Sequence, residues 1–169
     1  MPTEYDNRVI EARCGTLILR LAKPSDSDHL LRWRNDPVTR AMSTLHQVVS
    51  LVDHENWFRN SMQRVDRVII IGEHHLLPIG MIRYDLLGAE ATVSINLAAA
   101  ARGLGLASAI LQHSEDFLPV SIMQLSAVIR ADNHASQKTF AHAGYVFHDE
   151  DAEHSGHLIY RKAMPRQLL

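Results

Sequence analysis

Residues 94 to 107, SINLAAAARGLGLA, force a change of backbone geometry within a few positions. Up to Leu97 the chain alternates apolar Val93, Ile95 and Leu97 with polar Thr92, Ser94 and Asn96, the period of a strand with one greasy face. Beyond, Leu106, Ile110, Leu111 and Phe117 mark the apolar stripe of a helix packed on a sheet, and Pro119 ends it. A strand over 91–97 and a helix over 103–117 are therefore expected, with Gly103 and Gly105 at the helix entrance. The first amides of a helix have no partner inside it, and the summed peptide dipoles leave partial positive charge there. Glycines keep side chains from holding a phosphate away from those amides, and Arg102 adds a full charge. A plain tight turn explains the glycines alone equally well. A P-loop is excluded because no lysine followed by serine or threonine comes next, and the dinucleotide fingerprint fails because Ser108 stands at its third glycine position.

The 169 residues suit one domain, 1–169, able to bury about two thirds of its unfolded surface. With 46% hydrophobic and 21% charged residues and a formal net charge of -2, the chain has an ordinary soluble composition. No field of one sign draws it to nucleic acid or to an acidic membrane. The single cysteine, Cys14, excludes an internal disulfide and a thiolate cluster, and a reducing, cytoplasmic location is expected. As the start of the chain has neither a basic segment nor an apolar run, no targeting or membrane-spanning segment is expected. The eleven histidines are scattered, His74 and His75 fall in an expected turn without spaced partners, and no metal site is expected.

The remaining pattern alternates strands and helices. A strand at 15–21 leads to a short helix capped by Ser25 or Asp26 and closed by Pro37. A helix near 53–65, capped by Asp53, carries Trp57, Phe58 and Met62 near one stripe. Residues 66–86 read as a hairpin, 121–130 as a buried strand, 132–144 as a helix with a glycine at its end, and 145–150 with 157–164 as a closing strand pair. Three strands in a run, followed by strand–helix alternation, imply a mixed α/β sheet with helices on its faces.

RGLGLA at 102–107 matches R-x-x-G-x-A, and NHASQKTFAHAGY at 133–145 matches N-x-x-[AS]-x-x-x-[YF]-x-x-x-G-[FY]. With both motifs in this order, the chain resembles the Gcn5-related N-acetyltransferases (GNAT) over nearly its full length. The resemblance implies the GNAT fold: about seven mostly antiparallel strands, splayed between the fourth and fifth, and about four helices. It implies acetyl-CoA as co-substrate, with its pantetheine arm beside Ile95 and Leu97. The diphosphate would lie over Arg102, Gly103, Leu104, Gly105, Leu106 and Ala107, with Asn133, Ser136 and Phe140 flanking the arm and thioester.

HLLRWRNDPVTRAMS followed by HENWF is similar to the enzymes acting on nucleotide-linked deoxyamino sugars of the pseudaminic acid type, and shares features with ribosomal-protein-type acetyltransferases. Arg34 and Arg40 would then pair with a nucleotide diphosphate, Asn35 with sugar or base, Trp33 and Trp57 with a ring, and Tyr84 with the acceptor. The competing view makes Leu30, Leu31, Trp33 and Trp57 core and the arginines a solvated face. A protein N-terminus, an aminoglycoside or a polyamine remains an alternative acceptor, and a non-catalytic acyl-CoA sensor an alternative role. Phe140 stands where the family often has an acid tyrosine and Val128 where some members have a basic glutamate, so the catalytic candidates are Glu90, Ser94 and Asn96, with Tyr84 and Asp85 nearby. His142 is expected at a solvated helix C-terminus, and Cys14 as a small apolar side chain rather than a nucleophile. A homodimer through strand edges suits such a sheet.

Overall fold

The computed structural model describes residues 7–12 and 15–165. Cys14 lies outside the described residues. One sheet of eight strands runs in the order β1-β2-β3-β4-β5-β6-β8-β7. The strands are β1 (Arg8–Ala12), β2 (Gly15–Leu21), β3 (Arg67–His74), β4 (Leu77–Leu87), β5 (Glu90–Leu97), β6 (Gln124–Arg130), β7 (Val146–Glu150) and β8 (His157–Ala163). The helices are α1 (Ser27–Asn35), α2 (Pro37–Met42), α3 (Leu51–Gln63), α4 (Leu106–Ser114) and α5 (His134–His142). All neighbours pair antiparallel except β5 and β6, the one parallel pair among the described strands. A parallel pair needs a crossover, and α4 supplies it.

The α/β sheet with an interior splay is the fold expected, with one strand and one helix more. β1 is the additional strand; its short, half-polar RVIEA carries little periodic signal, and it gains its hydrogen bonds only by pairing with β2. The additional helix arises at Pro37. A proline closes the helix before it but also suits the first position of the next, and here it opens α2. Asp36 caps α2 by accepting 3.0 Å bonds from the amides of Val38 and Thr39.

The capping expectations need correction. Ser50, not Asp53, caps α3, its hydroxyl accepting from the Asp53 amide at 3.1 Å. Asp26 makes no cap bond to α1. Its carboxylate instead takes two 2.8 Å bonds from Arg20, which also donates to Glu73 at 2.6 Å, tying the entry of α1 to the sheet. Burial works to raise the Asp26 carboxyl, but the bonds from Arg20 and the Lys23 amide hold it below its ordinary range.

Each face of the sheet has its own core. On one, α4 and α5 bury Leu106, Ile110, Leu111 and Phe140 against Leu17, Leu19, Ile70, Ile82, Tyr84 and Val93. On the other, Leu30 and Trp33 of α1 and Phe58 of α3 cover Ile69, Ile71 and Met81. Met62, expected on the α3 stripe, is exposed; the turns around Phe58 bury His54 and Ser61 instead. His54 is the exception to a superficial set of histidines: its Nε2 donates to the Ser27 carbonyl at 2.8 Å and its ring stacks on Phe58. Trp33 and Leu30 are core, as the blander view had it.

Candidate active site

β5 and β6 begin side by side and then part. They pair at Glu90↔Gln124, Ala91↔Leu125 and Thr92↔Ser126, and at no later position. β5 stays paired with β4 as far as Leu97, and β6 with β8 over its whole length. A wedge therefore opens from Val93 and Ala127 onward, through the middle of the sheet. Backbone groups of 93–97 that face β6 have no strand partner there, and an extended ligand can take up their hydrogen bonds.

The open end of the wedge leads into the glycine loop. A single 3-10 turn, Ala99–Ala101, reverses the chain after β5, and α4 begins at Leu106 with Gly105 as its N-cap. Gly103 and Gly105 have φ of 76° and 74°, the left-handed region in which a side chain is strained. A Cβ at either position would meet nothing within 4 Å. The backbone is thus bare toward an open space at a helix N-terminus, the arrangement that suits a diphosphate. α4 starts three residues later than expected, so Gly103 and Leu104 are loop, while Leu106 turns into the core.

Arg102 does something other than expected. Its Nη2 donates to the Leu97 carbonyl and to Thr39 Oγ1, both at 3.0 Å, and lies 2.8 Å from Asp36 Oδ1. The guanidinium is a clamp that fastens α2 to the end of β5, and it is turned back from the bare loop. The bond from the Thr39 amide, and then Arg102, hold the Asp36 carboxyl below its ordinary value. The Thr39 hydroxyl completes the clamp by donating to Asn96 Oδ1 at 3.1 Å.

On the face covered by α1 and α3, the floor beside the wedge carries Arg83, Asp85, Ser94, Asn96 and Val128. Asp85 is held by Arg67 at 2.6 Å and by Arg83 at 3.0 Å, so its charge is already matched. Glu90 lies at the closed end, where β5 and β6 still pair, about 17 Å along the strand from Ile95. From there its exposed carboxylate does not reach the opening. Tyr84 is wholly buried on the opposite face, its hydroxyl 2.7 Å from Ser114 Oγ, and burial pushes its pKa far up. It is a core residue. Asn35 spends both ends of its carboxamide on the Val49 backbone at 2.8 Å, and Trp57 lies half-buried against His54 and Phe58.

The segment after α2 crosses the mouth of the wedge. Arg34 Nη2 donates to the Leu45 carbonyl at 2.8 Å, and Arg40 Nη1 approaches the His46 carbonyl at 3.5 Å. His46 Nδ1 lies 2.9 Å from the Arg40 carbonyl, and Nε2 lies 3.4 Å from Arg130 Nη1 at the end of β6. A carbonyl only accepts, so Nδ1 carries the proton and, in the neutral ring, Nε2 keeps its lone pair. Sequence reasoning missed His46, since a lone histidine among eleven gives no local signal. Arg130 also borders a cavity of about 310 Å³ with Asp132, Ser155 and His157.

The α5 residues stand at the other flank of the wedge. Asn133 caps α5 by accepting from the Ser136 amide at 3.1 Å. Phe140 is buried edge-on against Tyr145, with ring centroids 5.0 Å apart, and serves the core. His142 is exposed near the helix end, as expected. Among the described residues no group of three histidine, cysteine, aspartate or glutamate side chains is arranged to hold a metal, and no helix is long and apolar enough to cross a membrane.

Residues 16–146 match the family described as the acetyltransferase (GNAT) domain. No curated protein matches the chain in sequence. Among solved structures, the GNAT domain of S. lividans PAT is 21% identical with a TM-score of 0.75, covering 94% of this chain and 97% of that one. Spermidine N-acetyltransferase from Vibrio cholerae, in complex with CoA and spermine, is 14% identical with a TM-score of 0.77, covering 89% and 95%. An aminoglycoside acetyltransferase in complex with coenzyme A and kanamycin is 13% identical with a TM-score of 0.75, covering 87% and 94%. At these identities the likeness is one of fold. The closer resemblance to pseudaminic acid pathway and ribosomal-protein-type enzymes gains no support from these matches, whose named ligands are a polyamine and an aminoglycoside.

Proposed function

The chain belongs to the GNAT acetyltransferase family, and on that premise we propose that it is an acetyl-CoA-dependent N-acetyltransferase acting on a primary amine of a small molecule by direct transfer. The observation that carries this reading is the wedge between β5 and β6, which opens beside the bare glycine loop. Acetyl-CoA supplies the acyl group as a reactive thioester. The amides at the start of α4 hold its diphosphate, and the free backbone edge of 93–97 orients its arm. Asn133 and Ser136 flank it from α5.

The acceptor approaches from the face of α1 to α3, where Ser94, Asn96, Arg83 and the segment after α2 line the floor and rim. The nitrogen must arrive neutral: it forms a bond to the acyl carbon, the carbon–sulfur bond breaks, and one proton leaves the nitrogen. Neither Val93–Leu97 nor Ala127–Arg130 supplies a carboxylate or a tyrosine. The proton passes to solvent water at the open end, since the His46 Nε2 lone pair already faces Arg130 Nη1 at 3.4 Å. Alignment of two held reactants then supplies most of the rate. On the acceptor, we favour the amino group of a nucleotide-linked sugar over a polyamine or an aminoglycoside, because the rim is built of arginines. Release of free thiol from acetyl-CoA, measured across amino sugars, nucleotide-linked amino sugars, polyamines and peptides, tests the reading; no release with any amine, together with no CoA binding by calorimetry, overturns it.

A further inference from the structure

We propose that the cavity between α1 and the start of β4 binds a small monocarboxylic acid with an apolar body. This site is separate from the acetyl-transfer site and does not depend on it. The cavity measures about 400 Å³, and its α1 wall is His29, Arg32, Trp33 and Asp36. Their spacing along the helix puts them on one face. Leu77 and Pro78 of β4, with Ala99 after β5, form the opposite wall. β4 and β6 flank β5 on its two sides. The cavity therefore lies on the β4 side of the end of β5, whereas the wedge opens on the β6 side.

The His29 end carries donors joined into one group. Arg32 Nη2 lies 2.8 Å from His29 Nδ1, and Arg32 Nε lies 3.4 Å from the Asp28 carbonyl. A guanidinium only donates, so Nδ1 accepts and the ring proton of His29 sits on Nε2. Arg32 Nη1 and His29 Nε2 are left without partners among the described residues, and Arg32 is exposed to solvent. One carboxylate, with two oxygens to accept, satisfies both donors and meets the arginine's charge.

The middle of the cavity is apolar. Trp33, 7% exposed, packs on His29 with ring centroids 5.7 Å apart, which fixes the plane of the imidazole. On the other wall Leu77 is 67% exposed, and an apolar body laid against it removes that surface from water. Asp36 stands at the far end, two turns along α1. Its Oδ1 takes the Val38 and Thr39 amides and Arg102, leaving Oδ2 without a partner among the described residues. That oxygen repels a second anionic group, so a dicarboxylate or a diphosphate is disfavoured and a single carboxylate with an apolar body is selected. Through Asp36 the occupant rests against the clamp that fastens α2 to β5.

The test titrates the full chain with phenylacetate, following amide shifts by NMR and heats by calorimetry. The expected result is binding, with the largest shifts in residues 29–36 and 77–78. Phenylacetamide, which keeps the body and lacks the charge, should bind about tenfold more weakly or worse. Neither 2-phenylethylamine nor inorganic pyrophosphate should compete. Arg32→Gln should lose about tenfold, and Leu77→Asp about as much from the opposite wall, with CoA affinity unchanged in both. Should either variant unfold, Arg32→Lys keeps the charge and loses the fork, and a several-fold loss is expected. No binding of phenylacetate, equal affinity for phenylacetamide, shifts centred on the wedge or the glycine loop, displacement by CoA, or equal affinity in every variant that folds overturns the proposal. The titration involves no turnover of acetyl-CoA, so a failure of acetyl transfer leaves its result intact.

Discussion

The two sides of the wedge are built by different means. The donor side is backbone: two glycines in the left-handed region, a helix N-terminus and a strand edge, all within residues 93 to 107. On the proposed reading the acceptor side is side chains: Arg34 from α1, Thr39 and Arg40 from α2, His46 from the segment after it, Arg83 from β4, Asn96 from β5 and Arg130 from β6. A backbone site recognises what every acetyl-CoA shares, and can recur in chains with little identity. A side-chain site recognises one acceptor and changes with a few substitutions. The clamp Asp36–Arg102–Thr39–Asn96 joins the two.

Gly105→Glu should break the donor side alone and have the largest effect. It places a carboxylate at a helix N-terminus where a diphosphate belongs, and forces a side chain into positive φ. Affinity for CoA should fall by about a hundredfold or more, while the melting temperature drops by only a few degrees and acceptor KM changes little. Equal loss on both sides would erase the distinction between them.

Arg102→Ala should unfasten the acceptor side. Removing the clamp takes the charged partner from Asp36, which keeps its bonds from the Val38 and Thr39 amides, and the side-chain donor from the Leu97 carbonyl, and costs about 2 kcal/mol of stability. Acceptor KM should rise about tenfold and CoA affinity less, as read from steady-state kinetics and calorimetry. A larger effect on CoA would mean that Arg102 serves the diphosphate after all.

Tyr84→Phe separates core from site. It removes the bond to Ser114 Oγ, which keeps its 2.9 Å bond to the Leu111 carbonyl, at a cost of about 1 kcal/mol, measured by denaturant unfolding, with acceptor KM unchanged. A raised KM would return Tyr84 to the acceptor.

His54 should give the smallest effect. Burial depresses its pKa below the ordinary 6.5, so the folded chain binds fewer protons than the unfolded one. Stability is then complete above about pH 6.5 and declines as pH falls toward the depressed value. His54→Gln should flatten this slope in melts taken between pH 7 and 5, and an unchanged slope would assign the acid sensitivity to other groups.

The sequence by itself determined what depends on neighbours along the chain. The alternation of 92–97, the stripe from Leu106 to Phe117 and the glycines between them made the α/β sheet and the bare loop at a helix entrance legible, because strand period, helix period and left-handed φ are local properties, whereas the splay followed only from the resemblance of 102–107 and 133–145 to the GNAT motifs. Where local signals were weak or ambiguous the reading failed: β1 needs β2 to be a strand at all, and Pro37 suits a helix's end and a helix's start equally. Tertiary structure alone decided the direction of each long polar side chain. It turned Arg102 away from the loop and toward Asp36, buried Tyr84 against Ser114, left Glu90 at the closed end, and brought His46 to Arg130 across 84 positions of chain. A charged or polar side chain goes where its partner is, and that partner is placed by the packing of the sheet and helices, not by its neighbours in sequence.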